Sequence, residues 1–489
     1  MRIAEVQETS SSASGAAGGL RRLLLGTLNY GVGSVVAPIL GFFLIPLYTR
    51  LLDPRDFGVA DFCVTLATAI GVVARLGAPG AVARFYFDLR GGQTFDSFVG
   101  SVTWFLLVVS GAIAALSVLV GPLLAPRLIP DVPFYPYLLI VLLGVPLTIL
   151  PEMQRRVLQV REKAQVAAFL NGANALTVLF LTLAFVAVAR WKATGLLLAG
   201  AVTALLFSLV AAWNLRRELA APFRRDFVRQ SLTFGLPLVP NHLSGWLLQA
   251  GNRAVLGVLV SAGALGEYSV ASRFVLPVVL LDSAFTTAYV PIYFDHRERE
   301  KEGSKGALQR LATLTIVGFL ALGLLVFSVM PLVLRLVTPA EYHGGAALIP
   351  VIAIGAIAGG IYHVVGNEVL YQKRPLSLLP TTVTGGLVAL SVTSLLAGRF
   401  GALGAALGYA AGMVATAAIG AAVNNRLYKF GLPMARLISS GIFVLVCAVV
   451  ASASQRASVE ASLAIAILLV VAGAAFLWVL FRRELTARN

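Results

Sequence analysis

Residues 98–120, FVGSVTWFLLVVSGAIAALSVLV, run without a single charged side chain. A helix needs about 20 mostly apolar residues to cross the hydrocarbon core of a bilayer, so this stretch names the solvent in which the chain folds. Outward from it, comparable runs recur at 27–50, 57–77, 134–152, 166–189 and 194–214. They continue at 232–259, 264–292, 311–336, 345–371, 376–397, 401–423, 435–453 and 461–481. Composition agrees: 58% of the 489 residues are hydrophobic and 12% are charged, against about 25% charged in ordinary soluble domains. The pattern predicts an all-α, polytopic membrane protein with 14 transmembrane helices. Connections are short, the longest being 121–133 and 216–231, and none can hold a soluble catalytic domain.

A net charge of +16 admits two readings, an acidic partner such as nucleic acid or the enrichment of Lys and Arg in cytoplasmic loops. Position separates them. With the N-terminus placed inside, 27 of the 38 Lys and Arg residues fall on inner segments, 8 fall on outer ones, and Arg75, Arg253 and Arg273 lie within spans. That asymmetry predicts a multi-pass membrane protein with both termini cytoplasmic and no nucleic-acid partner. Cys63 and Cys447 lie in apolar runs and read as small hydrophobes, with neither a disulfide framework nor a zinc spacing. Residues 1–26 are Ser-rich and carry Arg21 and Arg22, which reads as a disordered cytoplasmic tail rather than a cleaved signal peptide.

An internal repeat sets the domain organisation. Gly58-Val59-Ala60-Asp61-Phe62 near the start of the second span is echoed by Gly266-Glu267-Tyr268-Ser269-Val270 in the eighth, an offset of 208. Val157 to Lys163 after the fourth span is echoed by Val369 to Pro375 after the tenth, an offset of 212. The expectation is a six-helix bundle at 27–215, a cytoplasmic linker at 216–231, a second six-helix bundle at 232–427, and two additional helices with a short cytoplasmic tail at 428–489. Six spans return the chain to its starting side, so the copies are related by an axis along the membrane normal.

Prolines interrupt counterpart spans: Pro38 and Pro46 in the first, Pro237 and Pro240 in the seventh. Each removes a backbone donor, and lipid cannot satisfy the freed carbonyls. These four are hinge candidates beside a central cavity, the alternative being static kinks. Charge inside a span costs about 2.5–3.5 kcal/mol on insertion scales. Arg253, Arg273 and Arg75 are therefore candidate cavity residues, since a guanidinium grips phosphate oxygens in a bidentate fork; an internal Arg–Asp pair is the structural alternative. Asn174, one turn from Asn171, can present hydrogen bonds to sugars or to a neighbouring helix. Asp282, His242 and Glu368 are candidates for ion coupling or proton relay, alongside a purely structural role. No Walker A loop, His-Glu-x-x-His or Gly-x-Ser-x-Gly pattern occurs, so the reading is a transporter rather than an enzyme, with no metal site or cofactor.

The segment Tyr48-Thr49-Arg50-Leu51-Leu52-Asp53-Pro54-Arg55-Asp56-Phe57-Gly58 and the stretch Val157 to Ala175 resemble the polysaccharide transporter (oligosaccharide flippase) family. That family belongs to the multidrug/oligosaccharidyl-lipid/polysaccharide exporter superfamily, and the resemblance spans about residues 24–481. It implies two bundles forming a V around a cationic cavity. The cargo it implies is an undecaprenyl-diphosphate-linked oligosaccharide, moved by alternating access from the cytoplasmic to the outer leaflet for O-antigen, capsule or exopolysaccharide synthesis. It further implies membrane lipids, polymerase and export machinery as partners, and H⁺ or Na⁺ as the coupling ion. Two alternatives from the same superfamily stand beside it, a drug or small-molecule:cation antiporter and a lipid II flippase. The first span has no arginine before Arg50, unlike lipid II flippases, and three intramembrane arginines argue against a cationic cargo.

Overall fold

The structure is a computed structural model that describes residues 38–89, 93–298, 305–372, 378–428, 431–455 and 458–486. The tail at 1–26 and the first part of the first span lie outside the described residues. Among the described residues every regular element is helical. Twelve helices among the described residues are long and apolar enough to cross a membrane. The second to sixth spans appear as Pro54–Ala74, Thr94–Leu128, Phe134–Val160, Ala164–Val188 and Lys192–Asn214. The eighth to fourteenth appear as Leu276–Glu298, Leu308–Val337, Ile349–Tyr371, Leu379–Phe400, Ala402–Leu427, Met434–Ser454 and Glu460–Arg482.

The two expected spans missing from that set are the first and the seventh, the proline-bearing pair. Of the first, the described part includes the helix Ile45–Leu51, which restarts after a break at Leu44 with Pro46 in its opening turn. Pro38 is the first described residue. The seventh is a chain of short pieces. A helix at Arg225–Gly235 tightens into a 3₁₀ turn at Leu236–Leu238, continues as Val239–Trp246, widens into a π turn at Leu247–Gly251 and ends as Asn252–Leu259. Pro237 lies within the first interruption and Pro240 just after it, where the missing N–H donors forbid a continuous α ladder. The eighth span is also cut, into Ala262–Arg273 and Leu276–Glu298, with Pro277 at the second position of the latter.

Outward-facing apolar side chains such as Leu119, Val188 and Leu395 are at least 75% exposed. In water such a surface costs about 25 cal/mol per Å²; against acyl chains it costs nothing. Inside the second half, the eleventh and twelfth spans are the most closely packed pair, and Gly404, Gly408 and Gly412 allow it. The thirteenth and fourteenth spans pack on the ninth, and the thirteenth also on the tenth.

The two halves meet mainly where the second span crosses the first segment of the eighth. A Cβ on Gly58 would fall 1.7 Å from the carbonyl oxygen of Ala262, and one on Gly266 would fall 1.8 Å from that of Pro54. The backbones touch, and only glycine fits at either place. Tyr342 adds a buried hydrogen bond of 2.7 Å to the carbonyl of Leu52, tying the connection before the tenth span to the corner between the first and second. Further along the second span, Trp246 donates to the hydroxyl of Thr68 at 3.1 Å. Beyond the second span's end, Gly77 (φ +67°) lies against Gly235 at the entry to the seventh.

Candidate functional site

A pocket of about 350 Å³ lies within the first half, between the second, fourth, fifth and sixth spans. Its walls bring together Arg75 and Asn174 with Asn171, Glu152 and Arg155. Every one of these sits toward the span ends that the Lys and Arg count places at the cytoplasmic face. Arg75 closes the second span and donates from Nη2 to Thr148 Oγ1 at 3.2 Å, while its buried Nε has no hydrogen-bond partner. Glu152 is claimed from its own helix, by Arg155 three residues on and by Arg156 four residues on, the latter at 3.1 Å from Nε. One carboxylate thus faces three guanidiniums, counting Arg75, whose charge acts on it. The arrangement suits an anion with oxygens to spare, and the two asparagines add neutral donors and acceptors beside it. His242 lies exposed on the seventh span, within electrostatic reach of Arg156.

Arg253 and Arg273 lie elsewhere, at the opposite ends of their spans, in the crossing that joins the halves. Arg253 Nη1 stands 3.7 Å from Asp61 Oδ1, and its Nη2 donates to Ser272 Oγ at 3.3 Å. Its side chain is 30% exposed, yet its Nε is buried without a partner. Asp61 also accepts a 2.7 Å hydrogen bond from Ser269. Arg273 packs over the Phe57 ring at 4.9 Å, near enough to Asp61 and Arg253 for both charges to act on it. Among the described residues it makes no hydrogen bond or ion pair of its own.

The two candidate carboxylates of the second half, Asp282 and Glu368, are both engaged. Asp282 contacts His363 Nδ1 at 2.9 and 3.0 Å, with both side chains partly exposed. Glu368 is fully buried, at 0% exposure. It is held by Arg297 through two hydrogen bonds of 2.8 and 2.7 Å, by the Tyr293 hydroxyl at 2.7 Å and by Gln372 at 2.8 Å. The Tyr371 and Tyr428 rings flank the Arg297 guanidinium, at 5.1 and 3.9 Å. That geometry fastens the end of the eighth span to the tenth.

Sequence reasoning missed Arg155, Glu152 and Gln154 as pocket residues because hydropathy ends the fourth span at 152, whereas its helix runs on to Val160. The signal was present: Glu152, Arg155 and Arg156 have the i, i+3, i+4 spacing of one helix face. Asp61 as the partner of Arg253 had no local signal, since only the crossing brings them together.

The described residues thus form a bundle of membrane-length helices with a basic pocket in the first half and a clasp between the halves. The model of the polysaccharide biosynthesis protein family matches residues 23–297, and the chain belongs to that family. Against curated proteins the full sequence finds no match. Among solved structures it is similar to the lipid II flippase MurJ in an inward closed conformation, with a TM-score of 0.71 and 15% identity over 93% of this chain and 99% of that one. An inward-facing multidrug resistance MATE family transporter gives 0.65 and 13% over 82% and 99%. The Vibrio cholerae MATE transporter VcmN gives 0.56 and 16% over 84% and 98%. At these identities the likeness establishes the fold alone, one shared with these membrane transporters.

Proposed function

We propose that the protein is a flippase that carries undecaprenyl-diphosphate-linked oligosaccharide from the cytoplasmic to the outer leaflet of a bacterial inner membrane, supplying surface polysaccharide synthesis. The observation that carries this reading is the first-half pocket, where Arg75 keeps an unpaired Nε beside Arg155, Asn171 and Asn174. The guanidiniums take the diphosphate oxygens and the asparagines take the first sugar hydroxyls. The lipid tail stays in the bilayer, so only the polar headgroup needs a path between the halves. Both termini are cytoplasmic in this reading, and the breaks at Pro46, Pro237 and Pro240 are where the first and seventh spans bend during alternating access. Polymerase and export machinery receive the product.

One observation favours a second reading. The partly exposed Asp282–His363 pair is the kind of group a cation antiporter exchanges protons on; in the flippase it is the candidate for H⁺ or Na⁺ coupling. A deletion strain separates the two. Mass spectrometry is expected to show accumulated undecaprenyl-diphosphate oligosaccharide and loss of the surface polymer, both restored by the wild-type gene and not by Arg75→Gln. Unchanged lipid-linked pools with new sensitivity to cationic drugs would give the case to the antiporter, and accumulated lipid II would give it to a lipid II flippase.

A further inference from the structure

The crossing between the halves holds two guanidiniums, Arg253 and Arg273, around one carboxylate, Asp61. Asp61 belongs to the second span, in the first half. Both arginines belong to the second half. Asp61 is only 15% exposed, and Ser269 orients it through a 2.7 Å hydrogen bond. When the halves part here, Arg253 loses its carboxylate and must find another anion or stand uncompensated within the membrane, which is costly. The buried, unpartnered Nε of Arg253 shows that even the clasped arrangement leaves donor capacity unused. A phosphate can take this Nε together with Nη2, the two donors on one edge of the guanidinium, in a side-on bidentate contact once Nη2 leaves Ser272, which the carboxylate 3.7 Å from Nη1 does not make.

We infer that Asp61 is a tethered stand-in for the phosphate of the cargo, and that the crossing opens by anion exchange: a diphosphate takes Arg253 and Arg273 as Asp61 lets go. This rests on the flippase reading above and adds to it a reason why the empty protein stays shut at this end. Closure needs no cargo, because Asp61 supplies the anion. Opening needs one, because Arg253 would otherwise stand without a counter-charge. Gly58 and Gly266 set how close the halves must come for the exchange to be all or none.

The experiment uses the full-length protein in detergent, spin-labelled at exposed positions Arg55→Cys and Ala340→Cys, one in each half at this end. The native Cys63 and Cys447 are both buried and do not compete for label. Farnesyl diphosphate is the probe. In the wild-type background a single short distance is expected, with a longer component appearing as the probe saturates. Asp61→Asn is expected to show the longer component without probe and to bind the probe at least fivefold more tightly. Ser269→Ala keeps every charge and guards against a folding defect in Asp61→Asn; it is expected to open at severalfold lower probe concentration. Probe binding that depends on Arg75, with the distance unmoved by probe in wild type or by Asp61→Asn, overturns the exchange and leaves the flippase reading standing. Failure of the probe to bind the wild-type protein at all, with Arg75→Gln also without effect on lipid-linked pools, overturns both.

Discussion

In the first half, one carboxylate, Glu152, answers to Arg155 and Arg156, and Arg75, on the wall of the same pocket, keeps a buried Nε without a partner. In the second half, Glu368 is matched by Arg297 at two oxygens and capped by Tyr293 and Gln372, and Asp282 is matched by His363. The same kinds of residue are used at similar depth with opposite outcomes. A charge that is fully matched holds helices together and has nothing left to offer a ligand. A surplus charge in a polar pocket is an unfinished coordination shell. In the proposed function this difference puts cargo recognition in the first half and structural fastening at the inner end of the second.

The largest effect that can break this comparison is Arg297→Gln. It strands a fully buried carboxylate, which costs about 3–5 kcal/mol, and should lower the melting temperature of the purified protein sharply. The double change Arg297→Met with Glu368→Leu should cost less than the single one. If Arg297→Gln melts like wild type, the second-half network is not a fastening. Next comes Arg75→Gln: losing a charge-assisted hydrogen bond is worth about 1.5–3 kcal/mol, so transport should fall roughly 10- to 100-fold at unchanged abundance in the membrane. An equal loss from His363→Gln, with Arg75→Gln silent, would reverse the assignment. Asn174→Ala removes a neutral contact worth about 0.5–1.5 kcal/mol and should slow transport roughly two- to tenfold. Arg84→Ala is the smallest, because its ion pair with Asp88 at 3.0 Å is more than half exposed on both sides. Such pairs are worth about 0–1 kcal/mol, so neither melting nor transport should move measurably.

The fold class was legible because bilayer thickness imposes a minimum run of apolar residues, and twelve such runs return, among the described residues, as helices of membrane length. Span ends were less legible. Hydropathy stops counting at the first charges, so it cut the fourth span short of Glu152's partners, although a helix in the interface continues through Arg155 and Arg156. The seventh span was flagged by Pro237 and Pro240, but its π turn at Leu247–Gly251 carries no proline and no sequence mark. Arg75 and Asn174 were readable as candidates since a polar residue within a span always demands an explanation. Which cavity they face was not, nor was it readable that Arg253 and Arg273 lie with Asp61 at the crossing. Those are properties of how helices distant in sequence are juxtaposed, and no local pattern encodes them.

The crossing at Gly58 and Gly266 has a consequence for how such a chain arises. Gly58 meets Ala262 and Gly266 meets Pro54, and each contact is the other shifted by 208 residues. This is the reciprocity of an isologous homodimer interface, where residue i touches j and j touches i. A half-length ancestor pairing with itself would make the same contact twice. It could not place Asp61 opposite Ser269, because in a symmetric dimer a carboxylate on the axis meets its own image and repels it. Fusing the copies into one chain lifts that constraint, letting one side stay acidic while the other becomes a hydroxyl donor with arginines alongside. The chemistry of the clasp is thus available only to a duplicated and diverged chain.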